Sequence, residues 1–418
     1  MKSRTRIERP VVAAAVALLA GCSSSSDGPD AGVSFPDAGG DGGAVVTTDG
    51  GGADGSNTQD TGVVETGTSD GAAGFVPSNV PLTTFPAAAG DVTISAPSCT
   101  IDTDNLTVDC VSPQADGGLP YVFVKAAQSD GSQVSVLAVN SLSVAAAGAL
   151  SLKGSLPLIV WARTTVSIQG QFTADPTFHP TNGGGFLATA SGPGGGPGGG
   201  GAGSSNPEVG GGGGSYCGVG GSGANSSSVT SDAGSPVAGG RTYGSPTIVP
   251  LIGGSAGGAP MTVGGGGEGG GAIEITAGTS IDVGAGGVIS VPGYGGGGNG
   301  GAGGSGGSIL LEAPSVTVSG TLAANGGGGA VFSGGGSVGD GLPSATPAPG
   351  QDAHSAVGSA GTQINGADGT ATPTWTSSGG GGAGRIRINT STGAATIGAS
   401  AVVSPALGTP CATQGTLP

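Results

Sequence analysis

The thiol with the most specific setting in this chain is Cys22. It closes the string Leu19-Ala20-Gly21-Cys22, directly after a short apolar run and before a serine tract. A bacterial lipoprotein signal has this arrangement: the thiol is lipidated and Cys22 becomes the mature N-terminus. Lys2, Arg4, Arg6 and Arg9 form the positive leading region. Val11 to Ala20 form an apolar stretch too short to span a bilayer core of roughly 30 Å as a helix. Each buried methylene is worth about 0.8 kcal/mol, so two or more acyl chains anchor stably without a transmembrane helix. Residues 1–21 are therefore read as the signal peptide. The expected location is the cell envelope, as an outer-membrane lipoprotein exposed at the surface. Ser23, where an aspartate would favour inner-membrane retention in enteric bacteria, points the same way.

Four further cysteines remain, Cys99, Cys110, Cys217 and Cys411, an even number in an exported chain. Such a count points to disulfides. Cys99 and Cys110 flank a hairpin pattern, with Ile101 on one arm and Leu106 and Val108 on the other. A bridge closing so short a loop contributes on the order of 3 kcal/mol. Cys217 with Cys411 then follows by elimination. A zinc site is disfavoured, because the cysteines lack close paired spacing and the histidines are two, His179 and His354.

Acid–base chemistry would need carboxylates that converge on one face. The candidates are Glu274, Asp282 and Glu312, with Arg385 and Arg387 as basic partners. Glu274 and Glu312 occupy alternate positions in strand patterns, which predicts an outward, solvated side chain. The two arginines alternate with Ile386 and Ile388, which again predicts outward arginine and inward isoleucine. His179 lies in a proline-flanked loop with no matching nucleophile. Glycine-rich calcium repeats carry a ligand aspartate, and the frames Gly303–Ile309 and Gly266–Ile273 lack it. An ice-binding threonine ladder is also missing: Thr317 aligns with Ser167 and Asp282. The expectation is no catalytic residue, no cofactor and no metal. The competing reading is a polysaccharide lyase or hydrolase, and it requires Glu274, Asp282 and Glu312 to meet.

Glycine supplies 97 of 418 residues, while charged residues make up 9% and aromatics 3%, which excludes an ordinary core of large side chains. Collagen is excluded because glycine does not recur every third position. A wholly disordered chain is excluded by an apolar content of 35%, clustered in alternating segments. The net charge is −16, and the basic residues beyond the signal are scattered, so nucleic acid is not an expected partner.

Residues 22–75 read as a disordered acidic tether of Asp-Gly and Ser steps, which lifts the folded part off the lipid surface. Residues 76–120 read as an N-terminal hairpin cap, 121–402 as the main domain and 403–418 as a tail. Five units recur in the main domain, at 134–144, 158–170, 272–284, 309–320 and 385–398, each a strand, a short corner and a second strand. Asn325 and Asn389 are read as turn residues. Spacing Ala138 to Ala162 suits one coil, and no coil buries its own apolar face, so neighbours must stack. The predicted fold is all-β: a right-handed parallel β-helix-like solenoid with long glycine-rich loop insertions, in preference to an antiparallel sandwich. The glycine runs at 183–214, 264–271, 295–307, 326–336 and 379–384 admit two states. They are floppy loops, or extended polyglycine strands hydrogen-bonded side by side.

The lipobox with its Asp-Gly-Ala tether, the hairpin Ser98–Asp104, the segment Pro250–Ser255 and the unit Gly306–Pro314 together resemble a group of glycine-rich surface lipoproteins of myxobacteria and related deltaproteobacteria. The resemblance covers most of the chain. It implies location and architecture and brings no activity. The expected partners are the membrane, through the N-terminal lipid, and an extracellular glycan or matrix, in an adhesin-like or structural role.

Overall fold

A computed structural model describes residues 76–418 except 83, 88, 116, 175–181, 206–207, 227–234, 261–264, 333–337 and 372–375. Cys22, the tether and His179 lie outside the described residues. Among the described residues every helical or extended element is a strand, and no helix is long and apolar enough to cross a membrane.

The fold opens with Asp91–Ile94 (β1) and Cys99–Asp102 (β2); Thr107–Val108 (β3) folds back antiparallel on β2. Val122–Ala127 (β4) runs antiparallel to Gln133–Val139 (β5). From β5 the chain visits three sheets in a fixed order. The first circuit continues through Ser141–Val144 (β6) and Ala149–Lys153 (β7), the second through Leu158–Ala162 (β8), Thr165–Ile168 (β9) and Gln171–Ala174 (β10). A glycine-rich excursion carrying Ser204–Ser205 (β11) and Glu208–Val209 (β12) leads to Ala272–Ala277 (β13), Ser280–Val283 (β14) and Val288–Ser290 (β15). Ser308–Glu312 (β16), Ser315–Val318 (β17) and Thr321–Ala323 (β18) follow, then Arg385–Thr390 (β19), Thr396–Ile397 (β20), Val402–Ser404 (β21) and Ala412–Thr416 (β22).

The first sheet has the order β1-β6-β9-β14-β17-β20, the second β21-β18-β15-β10-β7-β2-β3 and the third β22-β19-β16-β13-β8-β5-β4. Successive circuits pair in parallel. Val139 pairs with Ala162, one residue away from the Ala138–Ala162 alignment expected from spacing. Residues 403–418, set apart as a tail, supply the parallel strand β22 to the third sheet.

Period-two alternation decides what each strand buries. In the first sheet Val92, Leu142, Val166, Ile281 and Val316 stack in one register column, all buried. One apolar cluster joins such columns from all three sheets. Apart from Cys99, Tyr121 and Phe172 its buried members are Val, Ile, Leu and Ala, which is how a chain so poor in aromatics builds a core. The third sheet is also covered on its outer face. There Val136, Ile159, Trp161 and Leu310 pack against Val80, with Leu82 and Phe85 at the edge.

The described glycine runs are ordered. Their backbone groups bond to other runs with a period of three. The N–H groups of Ala302, Gly303 and Gly304 donate to Gly258 O (2.9 Å), Gly379 O (3.0 Å) and Tyr294 O (2.8 Å). Those of Ser305, Gly306 and Gly307 donate to Ser255 O (2.9 Å), Gly382 O (3.0 Å) and Val291 O (2.9 Å), so the same three neighbours recur. The carbonyls of Ala302, Gly303 and Gly304 accept from Gly267, Gly214 and Gly327, which adds three more neighbours. A threefold extended helix presents its polar groups in this way. Close approach excludes side chains: a methyl on Gly303 would overlap the carbonyl oxygen of Gly327, and one on Gly304 that of Glu268. Ordering glycine is costly in entropy, and here nearly every backbone donor and acceptor of the 301–307 segment is satisfied in compensation.

The bundle is continuous with the third sheet. Gly271, Gly307 and Gly384 lead directly into the neighbouring parallel strands β13, β16 and β19. The sheet register thereby sets the register of the parallel glycine runs behind it.

Candidate functional site

The outer face of the third sheet brings polar side chains together through register alone. One column runs Glu274, Leu310, Arg387, Thr413; the next runs Thr276, Glu312, Asn389, Gly415. Glu274 and Glu312 point away from the isoleucine core, as alternation predicts. They are not solvated: each is 0% exposed. The expectation failed because the segment around Ser78–Val80 lies across this face.

That segment supplies the hydrogen-bond donors. Ser78 donates to Glu312 from its backbone N–H (3.1 Å to Oε2) and from Oγ (2.6 Å to Oε1). Asn389 Nδ2 donates to the same Oε1 at 2.8 Å. Asn79 Nδ2 donates to Glu274 Oε2 at 2.8 Å and to Ile248 O at 3.0 Å, and Thr276 Oγ1 to Glu274 Oε1 at 3.2 Å. Burial, and then the charge of Glu312, push the Glu274 carboxyl well above its ordinary value, because a buried acid beside a second acid ionises only at a cost.

This arrangement has a pH consequence. Above the ordinary value of 4.5 the unfolded chain releases a proton that folded Glu274 keeps, so the folded state binds more protons and stability falls as pH rises. The slope reaches about 1.4 kcal/mol per pH unit until folded Glu274 itself ionises. Glu274→Gln carries an uncharged donor and acceptor at every pH and should lack this component. Urea midpoints of both proteins, measured from pH 4 upward, are expected to diverge in favour of the variant. Parallel midpoint curves would contradict a proton retained on folded Glu274.

Next to the pair the network reaches a cleft of about 360 Å³ bordered by Ser78, Arg387 and Asn389. Arg387 Nε donates to Asn389 Oδ1 at 2.7 Å and Nη1 to Thr413 Oγ1 at 3.2 Å. Asn389 lies inside β19, not at a turn, and Asn325 is buried; the non-glycine residues with positive φ are instead Leu106 and Ile248, among the described residues.

The other candidates are dispersed. Asp282 is in the first sheet and accepts from Gln169 Nε2 at 2.8 Å, so it does not join Glu274 and Glu312. Arg385, expected outward and solvated, is 9% exposed: its Nη2 donates to Tyr243 O at 3.0 Å and its guanidinium sits 5.4 Å from the Tyr216 ring centre. His354 is a turn residue whose N–H donates to Asp352. Ser167, Asp282 and Thr317 do share one column, as their alignment predicts. Disulfides join Cys99 to Cys110 and Cys217 to Cys411.

Ser78, Asn79, Thr276 and Asn389 carry no motif by which sequence reasoning finds them. Gly415 carries none either, because Ala412–Thr416 shows no strand pattern in which a glycine would stand out. No family model matches the chain, and no curated protein or solved structure matches it.

Proposed function

We propose that this chain is a lipid-anchored protein of the outer cell surface that acts by contact, as an adhesive or structural component, and not by catalysis. In this reading the three parallel sheets are the faces of a right-handed β-helical solenoid, the glycine runs make a stiff bundle beside it, and residues 22–75 tether both to the lipid on Cys22. The lipobox and tether, which resemble those of glycine-rich surface lipoproteins, support this reading.

The observation that carries the non-catalytic part is the closure of the Glu274–Glu312 pair. Both acids are fully buried, and their oxygens are taken by Ser78, Asn79, Thr276 and Asn389. A glycosidic bond cannot reach them. The carbohydrate-active reading keeps one specific observation in its favour: two of its three acids do converge, and Glu274 has the raised pKa of a general acid. It would require the Ser78–Val80 segment to lift away.

Protease shaving of intact cells tests display. The protein should be degraded rapidly on whole cells, and a Cys22→Ala strain should release or mislocalise it. Protection until the envelope is broken would sink the surface reading.

A further inference from the structure

We propose that the cleft around Arg387 binds a carboxylate-bearing sugar, a hexuronate unit of an acidic polysaccharide. The proposal rests on the surface-contact reading, and it names the partner.

The guanidinium is held in place from three sides. Nε and Nη1 are fixed by Asn389 and Thr413. Gly415 lies beside them in register, and a methyl there would overlap Nη2, so the missing side chain makes room for the cation to lie across β22. Asn389 is itself fixed by Glu312, and Glu312 by Ser78. A cation on rigid strands, oriented by a second layer of hydrogen bonds, is preorganised for a ligand.

Its charge is not neutralised by that support. Both acceptors are neutral, and among the described residues the observed ion pair is Lys153 with Asp102, at 3.3 Å. Glu312 is reached through Asn389 and already takes three donors. Of the five guanidinium N–H donors, two are committed within the protein, and the planar fork matches a carboxylate better than it matches a neutral hydroxyl.

The walls suit the rest of a sugar ring. Thr416 offers a hydroxyl, while that of Ser78 is committed to Glu312 and that of Thr247 pairs with Ser245; Val249, Leu417 and Pro418 offer apolar surface to the ring's C–H face.

Calorimetry with the purified full chain tests this, using tetragalacturonate, its methyl ester and neutral maltotetraose. The acid should bind at least about tenfold more tightly than the ester or the neutral glycan, and added salt should weaken it. Arg387→Ala should abolish the preference. Arg387→Lys keeps the charge without the fork and should lose most of it. Gly415→Ala should lower affinity by displacing the guanidinium. Equal affinity for acid and ester, no binding of either, or a preference surviving in folded Arg387→Ala would each overturn the proposal. The ester comparison uses the native protein, so it decides even if a variant fails to fold. Binding by purified protein is independent of display: loss of shaving sensitivity would leave the cleft standing, and a displayed protein that ignores the acid would leave only the surface reading.

Discussion

Breaking the Cys217–Cys411 bridge should cost this protein roughly 5 kcal/mol, the value that loop-closure entropy assigns to a closed segment of this size. The two cysteines are 194 residues apart in sequence. Cys217 sits in the glycine bundle, where its N–H donates to Ala383 O at 3.0 Å, and Cys411 precedes β22 and accepts from the Ile386 N–H at 2.8 Å. The bond therefore ties the bundle to the end of the third sheet. A Cys217→Ser/Cys411→Ser double variant, compared with the parent in urea, measures the effect. The Cys99–Cys110 bridge closes a separation of 11 residues, and its double variant should lose about 3 kcal/mol by the same relation. Hydrogen exchange should show which part loosens. Glycine amides at 211–221 are expected to lose protection first, while the isoleucine and valine columns keep theirs. A loss below about 1 kcal/mol for the long-range pair would mean the unfolded chain is already compact enough to hold the two ends together.

Gly304→Ala should destabilise the fold by about 3 kcal/mol, against the usual sign of the substitution. At an unconstrained site glycine to alanine stabilises by up to about 1 kcal/mol, because the unfolded chain loses freedom. Gly304 is the reverse case. Its N–H reaches Tyr294 and its carbonyl accepts from Gly327, both within a bundle where a methyl would overlap the Glu268 carbonyl oxygen. Three backbones would have to separate, and their hydrogen bonds with them. Gly265→Ala is the matched control: it lies in a glycine run, and an added methyl would meet only Thr189 O, at 3.7 Å. Its effect should stay within about 0.5 kcal/mol. Thermal melts of the two variants decide the matter. If they shift equally, the bundle is loose enough to accommodate side chains and its close packing is not a source of stability.

The strands and their inner faces were legible because both are local. Alternation within five or six residues marks Ile273 and Ile275 as core and Glu274 as outward, and the structure has them so. The same pattern aligned Ser167, Asp282 and Thr317 before their register was known. The weaker features followed the weaker codes. The coil alignment slipped by one residue, because a register column is identified by side-chain pattern and Ala138 and Ala162 are small residues with little pattern to offer. Strand β22 was missed because Ala412–Thr416 carries no apolar alternation; its neighbour β19 recruits it.

What an outward residue meets is a different kind of information. Ser78 is 234 positions from Glu312 and Asn79 is 195 from Glu274. Nothing near either glutamate announces that its face is covered, so alternation predicted solvation where the fold supplies burial. The glycine runs are the extreme of this. With no side chains they carry no pattern to say which run lies beside which, and sequence leaves loop and bundle equally open. The sheet decides: β13, β16 and β19 emerge from three glycine runs already in parallel register, and backbone hydrogen bonds extend that register through segments whose own residues specify nothing. Sequence by itself determined the alternating strands and their inner, core-forming faces. Only the tertiary structure decided the solvation of the acids, the order of the glycines and the place of Arg387, because each depends on backbone brought close from far along the chain.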